Sequence, residues 1–299
     1  MNVISSYIGL QGAGMVMLID ILVCLAGLAF DHTVITGAPA WLKPLNFGIS
    51  TSIFCFTMAF FMDRLPKNSR VPVIASNVMA AALVAEIILI DMQAARHTTS
   101  HFNVSTAFDK MVWMSMGIGI LLVVVSTIVL TFSAFRARFE DAALGWVMRL
   151  SLLIVLAGMF SGFLMTLPTP RQLAQARARQ GMPIVGAHTV GAPDGGAGLP
   201  LTNWSVDHGD LRVAHFVGFH GMQLLLLAWW AAPERRKLRL IFTVAASYAA
   251  AFLLVLWQAL RGQPILPPDA LTVAAWVAWL VVTSACVMAP APFLRVNQA

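Results

Sequence analysis

The chain has 299 residues, 59% of them hydrophobic and only 11% charged, where an ordinary soluble domain carries about 25% charged residues. That gap excludes a soluble globule. The formal charge of +6 does not point to nucleic acid either, because the basic residues cluster between apolar runs and build no basic face with interleaved aromatics.

Apolar runs of roughly 17 to 25 residues recur along the chain, the length that crosses ~30 Å of hydrocarbon as a helix. Helices satisfy their own backbone groups in lipid. The expected fold is all-α: a polytopic integral membrane helical bundle of about eight transmembrane helices, one transmembrane domain over residues 1–299. The spans are expected near residues 10–30, 45–62, 71–95, 110–135, 145–167, 213–232, 240–260 and 270–289. The start, Met1 to Ser6, has no basic segment or cleavage site of a signal peptide, so none is expected to be removed. Cys24, Cys55 and Cys286 are odd in number and lie inside apolar runs, which predicts buried thiols without a disulfide framework.

Arg64, Lys67 and Arg70 follow the second run, Arg136 and Arg138 the fourth, and Arg235, Arg236, Lys237 and Arg239 the sixth. Only Lys43, Arg96 and Arg261 mark three of the alternate connections. Short basic loops stay in the cytoplasm, so both termini are expected there, in a bacterial inner membrane. The long connection between the fifth and sixth spans is then non-cytoplasmic. All seven histidines, His32, His97, His101, His188, His208, His215 and His220, fall on or near that outer side.

In the first span, Asp20 is an acid in mid-membrane with no partner readable from the sequence. The third span adds Glu86 and Asp91, and an ionisable group there costs at least ~2.5 kcal/mol and marks function. At ~100° per residue, Glu86, Gln93, His97 and His101 share an arc of about 80° if the helix continues that far, while Asp91 faces another neighbour. His97 and His101 also have the i, i+4 spacing of a zinc-binding pair, without the glutamate of the usual signature.

The connection 168–212 is expected to hold two parts. Thr169-Pro170 reads as an N-cap and first helical residue, with Gly181 as the stop of a short basic helix over 170–180. The glycine-rich stretch 186–200 that follows is expected to fold as a lid over the third and sixth spans, carrying His188, Asp194 and Asp207 towards them. It lacks the residues of a P-loop or a calcium hand.

The sixth span opens on Asp207-His208-Gly209-Asp210-Leu211-Arg212. His208, Arg212 and His215 share one face, and His220 is turned by about 140° from His215. A π-bulge near Gly218 would bring His215 and His220 together. Gly218 and Gly221 flank His220 and would let either a flat porphyrin or a neighbouring helix approach.

The segments Trp41-Leu42-Lys43-Pro44-Leu45-Asn46-Phe47, Ser100-His101-Phe102-Asn103 and Gly209-Asp210-Leu211-Arg212 with His215 and His220 resemble motifs of an uncharacterised family of bacterial polytopic membrane proteins. That resemblance spans most of the chain and implies no activity. In helix count and length the chain is also similar to haem A synthases, a likeness of fold alone.

Three functional readings stay open. In the first, the chain binds haem b or a transition metal (zinc, copper or iron) in a redox site at the outer leaflet. His101 and His220 are its principal ligands, with His215 an additional one. Arg212 meets a propionate or anionic substrate, and a quinone or periplasmic electron carrier is the partner. In the second, a proton-coupled transporter uses Glu86 and Asp20, with His97 and His101 as the outer end of a relay. In the third, a membrane-embedded zinc hydrolase takes ligands from His101, His215, His220 and His208, with Asp194 or Asp210 as general base. The lid's His188 and the His97 pair member are further metal-ligand candidates.

Overall fold

The computed structural model describes residues 8–65 and 69–289. The signal-peptide reading at the start and the topology signal Lys67 lie outside the described residues. Eight of the helices are long and apolar enough to cross a bilayer: α1 (Ile8–Phe30), α2 (Leu42–Met62), α3 (Val71–Ala95), α4 (Ala107–Arg136), α5 (Ala142–Phe163), α7 (Leu211–Ala231), α8 (Lys237–Leu260) and α9 (Ala270–Met288). The short α6 (Pro170–Arg177) lies in the long connection. Two small hairpin pairs complete the elements, β1 (Val34–Ile35) with β2 (Ala38–Pro39), and β3 (Thr189–Val190) with β4 (Gly209–Asp210).

Helix starts are set by side-chain caps. Thr106 accepts from the Asp109 N–H, Asp141 from Leu144 and Asp269 from Thr272, each replacing a bond that the first turn lacks. Asp141 also accepts the Trp229 indole N–H at 2.9 Å, tying α5 to the end of α7. At α6 the expected Thr169 cap is present as a full capping box with Gln172. The helix stops earlier than Gly181: it ends at Arg177, and Arg179 takes the left-handed φ of 55° that closes it.

Apolar side chains point both inward and outward, as they must where the surrounding solvent is hydrocarbon. The core is built from residues such as Met17, Phe61, Met79, Ile87, Leu130 and Met148, all fully buried. Ile19, Leu22, Ile118, Leu227 and Val281 are exposed on the exterior. The outermost helix, α9, packs on α8 and buries only Thr272. The thiol expectation holds for Cys24 and Cys55, whereas Cys286, on α9, is exposed on its free surface.

The helices form a ring in which α2, α3, α4, α5 and α7 surround a cavity at the histidine end. The closest contact in that ring is between α5 and α7. A Cβ on Gly218 would lie 2.3 Å from the Gly158 Cα, so the two backbones touch. A Cβ on Gly221 would meet Ile154 and Tyr248 within 2.9 Å. The room beside both glycines is therefore filled by α5 and α8, and the porphyrin face expected there is a helix-packing face. No π-bulge interrupts α7, which is regular from Leu211 to Ala231.

Gly218→Ala is expected to lower unfolding stability by about 1–3 kcal/mol, since the added methyl meets the Gly158 backbone at 2.3 Å, which cannot give way as a flexible side chain can. Gly12→Ala, where nothing lies within 4 Å, should not lower the thermal midpoint in the same detergent and should raise it slightly, because alanine favours the helix by about 0.5–1 kcal/mol.

Candidate functional site

The cavity has a volume of about 1710 Å³ and lies at the end of the bundle where the connections carry histidines. Its walls are mainly apolar, with Phe47, Phe54, Ile120, Phe163 and Phe219 among them. Its polar side is formed by Lys43 from α2, Glu86 from α3, His101 from the α3–α4 connection, His188 from the long loop, and His215 and His220 from α7. Glu86 lies roughly 14 Å along α3 from its end at Ala95, at 1.5 Å per residue.

His101 does not reach this site on a continuing helix. α3 ends at Ala95, His97 takes a φ of 56°, and the chain turns back so that His101 lies over the cavity. The expected stripe is thereby broken. His97 is half exposed and pairs with Asp31 at 3.4 Å, away from the cavity. Gln93 is buried against Asp109, donating to its carboxylate at 3.1 Å. The i, i+4 pairing of His97 and His101 is absent because no helix joins them.

What remains of the stripe is a line of three groups. Lys43 Nζ lies 3.2 Å from His101 Nδ1, which also faces the Ser100 hydroxyl at 3.0 Å. On the other edge of the ring, His101 Nε2 is 3.5 Å from Glu86 Oε1. An ammonium and a hydroxyl donating to Nδ1 leave the ring proton on Nε2, pointing at the carboxylate. At that separation Glu86 Oε1, in a residue only 2% exposed, forms no hydrogen bond with a described residue. Burial holds the pKa of His101 well below its ordinary value, and the Lys43, His188 and His215 charges act in the same direction. Its ring packs against Trp113, centroids 5.5 Å apart.

Residues 186–194 and 202–204 of the long loop line the cavity wall, and we call this loop the lid. β3 pairs with β4 in the register Thr189↔Asp210 and Val190↔Gly209, so the loop is stitched to the start of α7. Within it Asp194 accepts the backbone N–H groups of His188 and Thr189 and the His188 ring Nδ1 at 2.6 Å. Burial lowers the pKa of His188 against the opposing pull of Asp194. Burial would raise Asp194, but the His188 ring and the two N–H bonds outweigh it and hold its carboxyl well below the ordinary range. The pair is thus a neutral imidazole on an ionised carboxylate. Asp207 and His208 do not join the cavity. They line a separate outer pocket of about 360 Å³, which shares His188, Asp194 and Arg212 with the cavity wall.

Asp210, read as a general base, is an anchor. It is 1% exposed, caps α7 by accepting the Arg212 N–H, accepts the Ser205 N–H at 2.9 Å, and pairs with the Arg212 guanidinium at 2.6 Å. Arg212 is held in turn by Asp210 and the Asn203 carbonyl. His215 faces α5, its Nδ1 2.9 Å from the Gly158 carbonyl. His220 faces α2, its Nε2 2.8 Å from the Ser50 hydroxyl. The two rings line one cavity from different directions. Among the described residues, the only three metal-type side chains whose donor atoms lie within 4.8 Å of one another are Asp20, Cys24 and Asp91. No histidine trio is gathered as a zinc site. Asp20, whose partner the sequence left open, thus meets Cys24 on α1 and Asp91 on α3, and Asp91 does face away from Glu86.

Lys43, Ser50 and Trp113 belong to the site and were not singled out by sequence. Lys43 carried a signal: it is a lone cation at the start of a span, on the side otherwise poor in basic residues. No protein-family model, curated protein or solved structure matches the chain.

Because His188 and Asp194 both have lowered pKa values, the docked lid binds fewer protons than an undocked one. Its stability is therefore complete above about pH 6.5 and is lost as pH falls through the histidine range and then the carboxylate range. The protection factor of the Thr189 amide, taken relative to its intrinsic exchange rate at each pH, should fall on acidification. Asp194→Asn should lower it already at neutral pH, by the equivalent of about 1–3 kcal/mol. Protection independent of both would show that the pair does not hold the lid.

Proposed function

We propose that this chain is a proton-coupled carrier of the bacterial inner membrane, with the cavity facing the non-cytoplasmic side and both termini in the cytoplasm. The observation that carries the reading is the Lys43, His101 and Glu86 line on the wall of a large cavity. A carboxylate in hydrocarbon needs a proton or a cationic neighbour, and here an imidazole stands between the acid and the cation. A proton arriving at His101 Nδ1 from Lys43 releases the Nε2 proton to Glu86 Oε1. Lys43 is reloaded from the cavity, and the reverse sequence returns the proton. The occupant of the cavity would then exchange against, or travel with, the proton on Glu86.

Asp20 and Asp91 form a second reservoir between α1 and α3. Two carboxylates so close in hydrocarbon do not both stay ionised without a proton or a cation. This pair gives Asp20 the role the transporter reading asked for.

The test is infrared difference spectroscopy, acid minus alkaline, on protein in nanodiscs. A protonated-carboxyl band is expected that disappears in Glu86→Gln and changes its titration midpoint in His101→Ala. A band untouched by both substitutions would remove Glu86 from proton chemistry and overturn the reading.

One feature favours the redox reading as a second possibility: His188 and His215 each spend Nδ1 on a protein acceptor, Asp194 and the Gly158 carbonyl. This is how ligating histidines are oriented, with Nε2 left for iron or another metal. If haem b is the cofactor, protein purified from haem-replete cells will carry a Soret band that His215→Ala removes. A colourless, metal-free protein retaining its fold would leave the carrier alone.

A further inference from the structure

We infer that the molecule received by this cavity is a neutral, membrane-soluble amphiphile with a hydroxyl-bearing head, and that it enters from the bilayer between α2 and α7. The inference rests on the reading that the cavity receives a small molecule, and it adds the chemical class and the route.

The head is specified by the unused polar capacity of the wall. Glu86 Oε1 is buried, lines the cavity and makes no hydrogen bond with a described residue. A carboxylate oxygen in that position calls for an O–H donor. Lys43 Nζ faces His101 Nδ1 and has further N–H groups to offer an acceptor. A hydroxyl donates to Glu86, while Lys43, on the far edge of the His101 ring, is out of reach of that same oxygen and is answered by a second oxygen of the head. Charge selects further: Lys43 and Glu86 are of opposite sign, Arg212 is matched by Asp210, and the Asp194 carboxylate is already saturated by the His188 ring and two backbone N–H groups. A carboxylate or phosphate head would leave Glu86 facing a like charge, and an ammonium head would do the same to Lys43. The remaining walls, with Phe47, Phe54, Ile120 and Phe219, suit an alkyl or isoprenoid chain.

The route follows from which faces border the cavity. On α7, Phe216 and His220 line it, yet they continue the stripe of Leu224 and Leu227 at spacings of four and three residues, and Leu227 is 60% exposed on the exterior. On α2, Ile49 and Ile53 line it and are also exposed, one turn apart. The cavity thus reaches the lipid-facing edge of both helices at their mutual seam. Two polar bonds close that seam, Ser50 meeting His220 at 2.8 Å and Gln223 donating to Thr57 at 3.0 Å, and above it Asn46 Nδ2 donates to the Leu201 carbonyl of the lid at 2.7 Å. By contrast, α5 and α7 are locked by backbone contact at Gly158 and Gly218. A seam held by single hydrogen bonds, each worth little net free energy, is the side of the ring that can part.

Full-length protein in nanodiscs would be photolabelled with a long-chain diazirine alcohol, its carboxylic-acid analogue, and a short water-soluble diazirine alcohol. The long-chain alcohol should label Phe47, Ile120 and Phe219, saturably and in competition with an unreactive long-chain alcohol. The other two probes should label these positions about tenfold less. Glu86→Leu should weaken competition about tenfold, the equivalent of one lost hydrogen bond. Ile53→Trp, which narrows the seam, should slow interior labelling, whereas Met15→Trp on the lipid face of α1 should not. Equal labelling by the acid or the short alcohol, or a rate indifferent to Ile53→Trp, overturns the inference. Those outcomes are separable from failure of proton coupling, because labelling is read without any pH change and the carboxyl band without any ligand.

Discussion

An ionisable group placed in hydrocarbon has to be answered from within the protein, and this constraint organises the molecule. Glu86 is answered by Lys43 across the His101 ring, and Arg149 by the backbone carbonyls of Ala134 and Ala137 at the opposite end of α4 and α5. Asp20 meets the Cys24 thiol on its own helix and Asp91 on α3. The partners of Glu86 and Arg149 come from a different helix or from a connection outside the spans. The helices cannot slide or rotate independently without leaving a charge unmatched, a cost of several kcal/mol. Polar placement thereby fixes the relation between helices where apolar packing against lipid-like neighbours discriminates little.

The lid has the same logic at smaller scale. A loop of glycines and prolines has little apolar surface of its own to bury, so it is held by backbone pairing and by one carboxylate. Asp194 gathers two N–H groups and an imidazole, while β3 lies against β4 at the base of α7. Gln172 extends the arrangement to α6, bonding both the N–H and the carbonyl of Gly186. His188 consequently sits at a defined place above the cavity although it belongs to no long helix.

Hydropathy and charge carried the fold: eight helices fit the eight apolar runs, because run length in lipid translates almost directly into a span. The lid was legible in the glycines and the capping pair at Thr169. Less of the site could be read. Glu86 stands out in the sequence as an intramembrane acid and His101 as one of the outer-side histidines, but the helical stripe that would join them does not form, since nothing local announces that α3 stops at Ala95 and that His97 adopts a left-handed backbone. Gly218 and Gly221 show why small residues are ambiguous: the same absence of a side chain serves a ligand or a neighbouring helix, and only the position of Gly158 decides. Asp210 was misread because a capping carboxylate and a catalytic one look alike without their partners.

The lid and the α2–α7 seam are mechanically linked. The lid is sewn to α7 through β4 and to α2 through the Leu201 carbonyl held by Asn46, and it is also bonded to the β1–β2 turn at the Thr36 carbonyl, to the α3–α4 connection at the Phe102 carbonyl and beyond the end of α5 at the Met165 carbonyl. A tilt of α7 away from α2 would pull on the lid through β4 while those other bonds hold it. The joint between β3 and β4 is therefore where a movement at the lipid-facing seam is felt on the water-facing side.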